Sequence, residues 1–165
     1  FSAEVTLVDA SQKALETASK NVAMAGGQPV VQKMDILEDL HRLPSGFYDL
    51  VICDPPAFIK KKKDIPQGIQ AYSKLNREAM RRVSAGGFYV SCSCSGLFEE
   101  TDFRQMLAQS AARCQKEIRW LYRGFHSADH PQRPEFPQGT YLKAWIGVSV
   151  QRSIANSAQN SAAKN

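Results

Sequence analysis

The sequence predicts an α/β fold with a doubly wound sheet, because short apolar strands alternate along it with amphipathic helices. Three of the predicted strands end on an aspartate, at Asp9, Asp35 and Asp54. Glycine pairs at 26–27 and 86–87 follow two of the helical segments and are typical helix stops. Ligands of such sheets bind beyond the carboxyl ends of the strands. We therefore expect a binding site along the edge where these acids lie.

The first third of the chain predicts strand, helix, strand and strand in that order. Residues 4–9 are β-branched and apolar, and Ser11 follows as an N-cap for a helix over about 12–25. A second strand is predicted over 30–35. A third, over 48–54, is apolar enough to be buried on both faces, as parallel strands are.

The remaining elements follow a polar, lysine-rich loop in which Pro66 and Gly68 indicate irregular structure. Thr101 is a plausible cap for a later helix with one apolar face. In chain order we predict a helix over 69–84, a strand over 88–93, a helix after Thr101, and two strands, over 117–123 and 142–150, that form an antiparallel C-terminal hairpin on a mostly parallel sheet.

Length and composition are those of one domain. The chain has 165 residues and is 43% hydrophobic, which suffices for a core, so we predict one domain over 1–150 and a disordered tail over 151–165. No run approaches the about 20 apolar residues of a membrane span, and no signal peptide is recognisable, so we expect a cytoplasmic protein without membrane contact. The sequence starts without the strand and glycine-rich turn that open nucleotide-type α/β domains. We expect upstream residues to supply them, and the exposed apolar edges to favour association, for example as a homodimer.

The charge balance suits a polyanionic partner. Lysine and arginine number 21 against 16 acids, a net charge of +5. Residues 60–63 are four consecutive lysines beside the Asp54 turn, where Lys60 and Lys61 could hold RNA phosphates; a merely solvated loop is the alternative.

The four cysteines show no CxxC spacing, so we predict reduced thiols and no metal site. Cys92 and Cys94 lie one residue apart near a strand end and share one face if the strand persists. A cysteine is a nucleophile only as its thiolate, and Cys94, nearer the loop, is the more reactive candidate. The alternative is a buried, inert residue.

Two further clusters carry possible chemistry. In Asp54-Pro55-Pro56 the prolines make a rigid turn that can grip a planar base through the carboxylate and a backbone carbonyl, with Phe58 close enough to stack; a plain rigid loop is the alternative. The segment FHSADHP, with His126, Asp129 and His130, is one weak cluster, for which an ordinary loop role is favoured.

Strand-end acids also suit a nucleoside. Asp9 is placed to accept hydrogen bonds from both ribose hydroxyls, and Asp35 would lie near an adenine ring. Two solvated acids without a ligand are the alternative.

Taken together, the motifs VTLVDAS, ICDPPAF, AYSKLN, SCSG, ADHP and FPQGTYLKAW resemble the S-adenosylmethionine-dependent methyltransferases that modify cytosine C5 in bacterial large-subunit (23S) ribosomal RNA. The resemblance runs in order through residues 4–150. It implies a Rossmann-like class I methyltransferase sheet lacking its first strand and glycine-rich loop, and free ribosomal RNA or an assembling subunit as partner. A DPP turn alone would not suffice, since adenine-N6 and guanine-N7 methyltransferases have it too.

The resemblance also implies roles for individual residues. Asp9 would bind the cofactor ribose and Asp35 its adenine end. Asp54 would serve cofactor binding and catalysis and, with Pro55, hold the target base. Cys94 would attack cytosine C6, making C5 able to take the methyl group. The remaining predicted substrate contacts do not come from the resemblance but from the turn and the lysine run described above, namely Pro56, Phe58, Lys60 and Lys61.

One departure from the family pattern concerns product release. Many RNA cytosine-C5 enzymes have a second cysteine just after the Asp-x-Pro turn, where this chain has Ala57. The base that removes the C5 proton is therefore unassigned. A methyltransferase acting on a base nitrogen of guanine or adenine, and a noncatalytic RNA-binding module, are the alternative functions.

Overall fold

The structure is a computed structural model that describes residues 3–150, so the predicted tail over 151–165 lies outside the described residues. The chain divides into two compact units, Phe1–Leu43 and Pro44–Asn165, called here the N-terminal and C-terminal units. Within the described part, no helix is both long enough and apolar enough to cross a membrane.

The N-terminal unit is a strand–helix–strand. Strands β1 (Glu4–Asp9) and β2 (Gln28–Lys33) pair in parallel, with Asp9 level with Lys33, and helix α1 (Gln12–Met24) connects them. The predicted cap is confirmed, since the Ser11 hydroxyl accepts a hydrogen bond from the Ala14 N–H at 3.3 Å. Asp35 was predicted inside the second strand. It lies two residues beyond the end of β2, because its carboxylate accepts a hydrogen bond from the Leu37 N–H at 2.8 Å and turns the chain.

The C-terminal unit holds a four-stranded sheet in the order β3-β4-β6-β5. Strands β3 and β4 pair in parallel, and β6 runs antiparallel to both its neighbours, β4 and β5. Three of these four strands therefore point the same way, as predicted for a mostly parallel sheet with an antiparallel C-terminal pair. The elements are β3 (Tyr48–Cys53), α2 (Ile65–Arg82), β4 (Val83–Ser93), α3 (Glu100–Arg113), β5 (Glu117–Gly124) and β6 (Lys143–Val150).

Helix α2 begins at Ile65, four residues before its predicted start, so the prediction that Pro66 and Gly68 lie in a loop was wrong. Proline is tolerated in the first helical turn, where its missing N–H has no partner to lose. Gly68 is buried in the helix, close against Ile59. A Cβ at this position would lie 2.3 Å from Cγ1 of Ile59, so a larger residue would clash. It permits close packing and does not mark a turn.

Strand β3 is not buried on both faces, contrary to the prediction. Leu50 is 53% exposed and Ile52 64% exposed, whereas Cys53 is buried. Alternate residues of a strand face opposite sides of a sheet: Cys53 is level with the buried Ser91 of β4, whereas Leu50 is level with Phe88, which is 47% exposed, so one face is covered and the other is not. An apolar run fits a central parallel strand, but it does not establish that both faces are covered.

The core of the C-terminal unit lies where α2 and α3 pack together and on the sheet. Its largest buried side chains include Tyr72, Met80, Tyr89, Phe103 and Leu107. The prediction that Thr101 caps the next helix was wrong, because α3 already begins at Glu100. The predicted apolar face of this helix is confirmed, since four of its residues are buried and Cys114, just after the helix, is half-buried; the four are Phe103, Met106, Leu107 and Ala111.

Asn76 of α2 is fully buried within this core. Its Oδ1 accepts hydrogen bonds from the Tyr89 hydroxyl and the Ser91 hydroxyl, both at 2.6 Å, and its Nδ2 donates to the Tyr72 carbonyl at 2.8 Å. The amide thus fastens α2 to β4 and satisfies two buried hydroxyls.

Candidate active site

The Asp54 turn and the serine–cysteine segment lie side by side, because they continue two paired parallel strands. Cys53, the last residue of β3, is level with Ser91 of β4. Asp54 therefore follows at the height of Cys92, and burial together with the Asp54 charge raises the pKa of the Cys92 thiol. The carboxyl ends of these two strands bring together the predicted base-binding turn and the predicted nucleophile segment.

Ser95 holds the two loops together. Its hydroxyl accepts a hydrogen bond from the Ile59 N–H at 3.2 Å and shares one with the Tyr72 hydroxyl at 2.9 Å. Ser95 is 1% exposed and Ile59 is 2% exposed. Because Tyr72 belongs to α2, both loops are fixed to the helix beneath them, which gives the turn the rigidity that the prolines predict.

Serines and cysteines alternate at the end of β4 and differ in burial. Ser91, Ser93 and Ser95 are buried, whereas Cys92 and Cys94 are half-buried. Burial thus alternates through this segment, but the strand does not persist to Cys94, so the shared face of the two cysteines stays a prediction. Cys94 lies one residue past the end of β4, in the loop that leads to α3.

Burial disfavours three of the four thiolates. It raises the pKa of Cys53 to about 12 and of Cys92 to about 11, where the Asp54 charge adds to the effect. Burial also raises the pKa of Cys114, which lies after α3. Cys53, Cys92 and Cys114 are therefore poor nucleophiles at neutral pH.

The acid that begins the helix after the cysteines, Glu100, has a structural role. Glu100 begins α3, and one of its carboxylate oxygens accepts a hydrogen bond from the Trp145 indole N–H at 2.6 Å. The other oxygen pairs with Arg123 at 3.4 Å. Glu100 thus ties the start of α3 to β5 and β6.

The residues around the Asp54 turn differ in exposure. Pro55 is buried, Pro56 is exposed, and Phe58 is half-buried with its ring packed on Tyr72 at a centroid distance of 4.8 Å. One face of Phe58 is therefore already in contact with the protein. Its role as a stacking residue for a base stays a prediction.

The lysine run forms an exposed turn before α2. Lys60 and Lys61 are exposed, and a short 3-10 helix follows at Lys62–Asp64. The Asp64 carboxylate accepts a hydrogen bond from the Lys61 backbone N–H at 3.0 Å, which fixes the turn.

In the N-terminal unit, Asp9 and Asp35 lie at the same edge of the two-stranded sheet, and both are exposed. The Met34 N–H donates to the Asp9 carbonyl at 3.1 Å, so the two strand ends are adjacent. Each carboxylate also closes a turn, Asp9 by accepting from the Ser11 N–H at 2.7 Å and Asp35 by accepting from Leu37. Exposed carboxylates at one edge suit hydroxyl and amine donors of a nucleoside, and they also serve as turn formers.

The FHSADHP segment has no metal-site geometry. No group of three or more possible metal ligands occurs in residues 3–150. Asp129 and His130 are exposed and contact each other at 3.3 Å. His126 packs edge-on against Tyr141, with ring centroids 4.9 Å apart.

Sequence reasoning missed three residues that build this site, namely Tyr72, Ser95 and Lys143. Lys143 is 6% exposed, and its ammonium group donates to the Ser95 carbonyl at 2.9 Å and to the Tyr141 carbonyl at 2.7 Å. The motifs AYSKLN, SCSG and YLKAW contain these residues, but nothing in their local sequence indicates that they meet.

No family model matches the chain. Among curated proteins, Ribosomal RNA large subunit methyltransferase I of Erwinia tasmaniensis is 34% identical over 147 residues, which are 86% of this chain and 37% of that protein. The protein of the same name from Photobacterium profundum is 34% identical over 148 residues, with the same coverage of 86% and 37%. The chain thus spans 37% of the length of these relatives.

Among solved structures, the protein SMU.776 complexed with SAH superposes with a TM-score of 0.64 at 22% identity, over 88% of this chain and 38% of that one. A methyltransferase homolog from Pyrococcus horikoshii gives a TM-score of 0.57 at 13% identity, over 92% and 61%. The chain therefore has the Rossmann-like α/β fold of methyltransferase structures.

Proposed function

We propose that this protein transfers a methyl group from S-adenosylmethionine to C5 of a cytosine in ribosomal RNA, with Cys94 as the nucleophile. The observation that carries the proposal is the pairing of the Asp54 turn with the half-buried Cys94 at adjacent strand ends, both fixed through Ser95. The curated relatives named Ribosomal RNA large subunit methyltransferase I support the methyl transfer and the RNA substrate.

The chemistry follows from the two groups that the strand ends place side by side. The Cys94 thiolate forms a bond to C6 of cytosine, and the electron pair of the C5–C6 double bond becomes available at C5. Bound S-adenosylmethionine supplies the methyl group from its sulfonium, so a carbon–carbon bond forms at C5 as the sulfur–methyl bond breaks. The C5 proton then leaves to a base, and the electron pair re-forms the double bond as the Cys94–C6 bond breaks.

Asp54 and the turn after it hold the base in this scheme. The Asp54 carboxylate accepts a hydrogen bond from the exocyclic amine, and the Pro55 backbone carbonyl fixes the ring plane. Pro56, exposed beside it, bounds the base pocket.

We assign the cofactor's nucleoside to the N-terminal unit. Asp9 accepts hydrogen bonds from the ribose hydroxyls, and Asp35 accepts one at the adenine end. Their exposed carboxylates at one sheet edge support the assignment, as does the SAH in the SMU.776 structure.

The RNA backbone is assigned to the lysine turn. Lys60 and Lys61 are exposed directly after the Asp54 turn, where ammonium groups can neutralise phosphates flanking the target base. Phe58 contributes by stacking with the ring face that Tyr72 does not cover.

The test is methyl transfer by two matched variants. Large-subunit RNA and labelled S-adenosylmethionine are supplied to the protein, and in parallel to its longest natural form, because the curated relatives are longer. We expect 5-methylcytidine after nuclease digestion. Cys94→Ala should lower the rate by about 100-fold or more, since the nucleophile is lost. Cys92→Ala, two residues before the proposed nucleophile, should stay within about threefold.

A base-nitrogen methyltransferase is the second candidate, because the Asp54-Pro55-Pro56 turn followed by Phe58 suits that chemistry too. It would give methylated adenine or guanine in the digest, and Cys94→Ala would keep its rate. Absence of S-adenosylmethionine binding in calorimetry of the longest natural form would instead favour the noncatalytic RNA-binding module.

A further inference from the structure

Lys143 is a buried cation beside the nucleophile loop. In the β4–β6 ladder it is level with Ser93, the residue before Cys94. Its ammonium group donates hydrogen bonds to the carbonyl of Ser95, the residue after Cys94, and to the carbonyl of Tyr141. Cys94 is thus flanked on both sides by residues that Lys143 contacts or pairs with.

We propose that Lys143 is a positioning residue for Cys94, whose ammonium group fixes the Cys94 loop and stabilises the Cys94 thiolate by its charge. The proposal rests on the proposed role of Cys94 as nucleophile. An activated cysteine needs a cation or dipole near it, and Lys143 supplies a buried cation at this strand end.

Ionisable groups on the neighbouring elements also affect the charges of Lys143 and Cys94. Asp54 at the end of β3 and Glu99 and Glu100 at the start of α3 are acids, and Cys92 on β4 is a second thiol. Burial lowers the pKa of Lys143, whereas Glu100, Glu99 and a Cys94 thiolate each raise it. The hydrogen bond to the Ser95 carbonyl and the pairing with Ser93 hold Lys143 beside the two residues that flank Cys94, where its shielding from water strengthens the field of its charge.

Lys116 is a matched control for a purely structural lysine. It too is close to a buried backbone, because its ammonium group donates to the Val83 carbonyl at 2.8 Å. Val83 begins β4, at the opposite end of the strand from Cys94. Removing the Lys116 ammonium group therefore breaks a hydrogen bond to a backbone carbonyl, as removing that of Lys143 does, but leaves the residues around Cys94 unchanged.

The experiment measures how fast iodoacetamide alkylates Cys94 between pH 6 and pH 10. All proteins carry Cys92→Ala, so that mass spectrometry of the peptide reports Cys94 alone. Lys143→Met, Lys143→Arg, Lys116→Met and the parent are compared, with circular dichroism to confirm folding and alkylation in denaturant as the reference.

We expect Lys143→Met to slow Cys94 alkylation at pH 7 about tenfold and to move the pH midpoint upward, because the thiolate loses its neighbouring cation. Lys143→Arg should restore most of the rate, and Lys116→Met should match the parent. Folded Lys143→Met with the parent's midpoint and rate would overturn the proposal, as would an equal loss in Lys116→Met.

A second readout separates this proposal from the proposed function. Parent protein is incubated with 5-fluorocytidine RNA and S-adenosylmethionine and examined for a covalent adduct. An unchanged alkylation profile together with an adduct would refute the role of Lys143 and leave the function standing. A shifted profile without any adduct would support the role of Lys143 and refute the cytosine-C5 function.

Discussion

At the scale of single residues, burial differs between the thiol that ends β3 and the thiol that follows β4. Cys53 is covered by the core beside Tyr89, and the pKa of its thiol rises to about 12 because burial penalises the thiolate. Cys94, past the end of β4, is only half-buried.

The buried thiol of Cys53 should make the protein sensitive to alkali. Its pKa is about 12 when folded against 9.0 ordinarily, so above pH 9 the unfolded chain binds fewer protons than the folded one. The free energy of unfolding should then fall as pH rises from 9 to 12, by up to about 1.4 kcal/mol per pH unit for this group. Cys53→Ala should show a shallower decline in urea denaturation at pH 8, 9 and 10. Equal slopes in the two proteins would contradict this.

Sequence reasoning at this scale finds Cys94 and Asp54 but not the residues that hold them. Cys94 is indicated by its strand-end position and Asp54 by the prolines that follow. Lys143 contacts the Ser95 carbonyl from 48 positions away, and a backbone carbonyl leaves no trace in the sequence. Tertiary contacts of that kind follow only from the sheet register.

At the scale of elements, α2 is the support on which the site is built. Its Tyr72 reaches Ser95, and its Asn76 reaches Tyr89 and Ser91 on β4. The helix was predicted, but its start was placed four residues too late, because Pro66 and Gly68 are more frequent in loops. Proline is also tolerated in the first turn of a helix, and glycine also occurs where a helix packs closely. The presence of these two residues therefore does not by itself distinguish a loop from the start of a helix.

Loss of Asn76 should destabilise the C-terminal unit. In Asn76→Ala the Tyr89 and Ser91 hydroxyls lose their common buried acceptor, and we expect a drop in the free energy of unfolding of about 2–4 kcal/mol. Asn21→Ala, an exposed asparagine in α1, is the matched control and should change it by less than about 0.5 kcal/mol. Chemical denaturation gives both values. A loss below about 1 kcal/mol for Asn76→Ala would show that water or another acceptor replaces the amide.

At the scale of the whole molecule, element order and strand direction follow from the sequence because hydrophobic periodicity and turn residues encode them locally. The antiparallel C-terminal strands and the acids at strand ends are examples. The exposure of Leu50 and Ile52 was not predicted, since an apolar run does not reveal which neighbours cover it. The division into two compact units depends on how many contacts form between residues far apart in the sequence, and the hydrophobic periodicity of the sequence carries no information about such contacts.

The central claim is that Cys94 attacks cytosine C6, and trapping tests it directly. RNA with 5-fluorocytidine at the target position is incubated with the longest natural form of the protein and S-adenosylmethionine. Fluorine at C5 cannot leave as a proton does, so the Cys94–C6 bond should persist. We predict a denaturation-resistant adduct that mass spectrometry maps to Cys94, present in Cys92→Ala and absent in Cys94→Ala. Methylation of ordinary RNA without any adduct, or an adduct on another cysteine, would contradict the account.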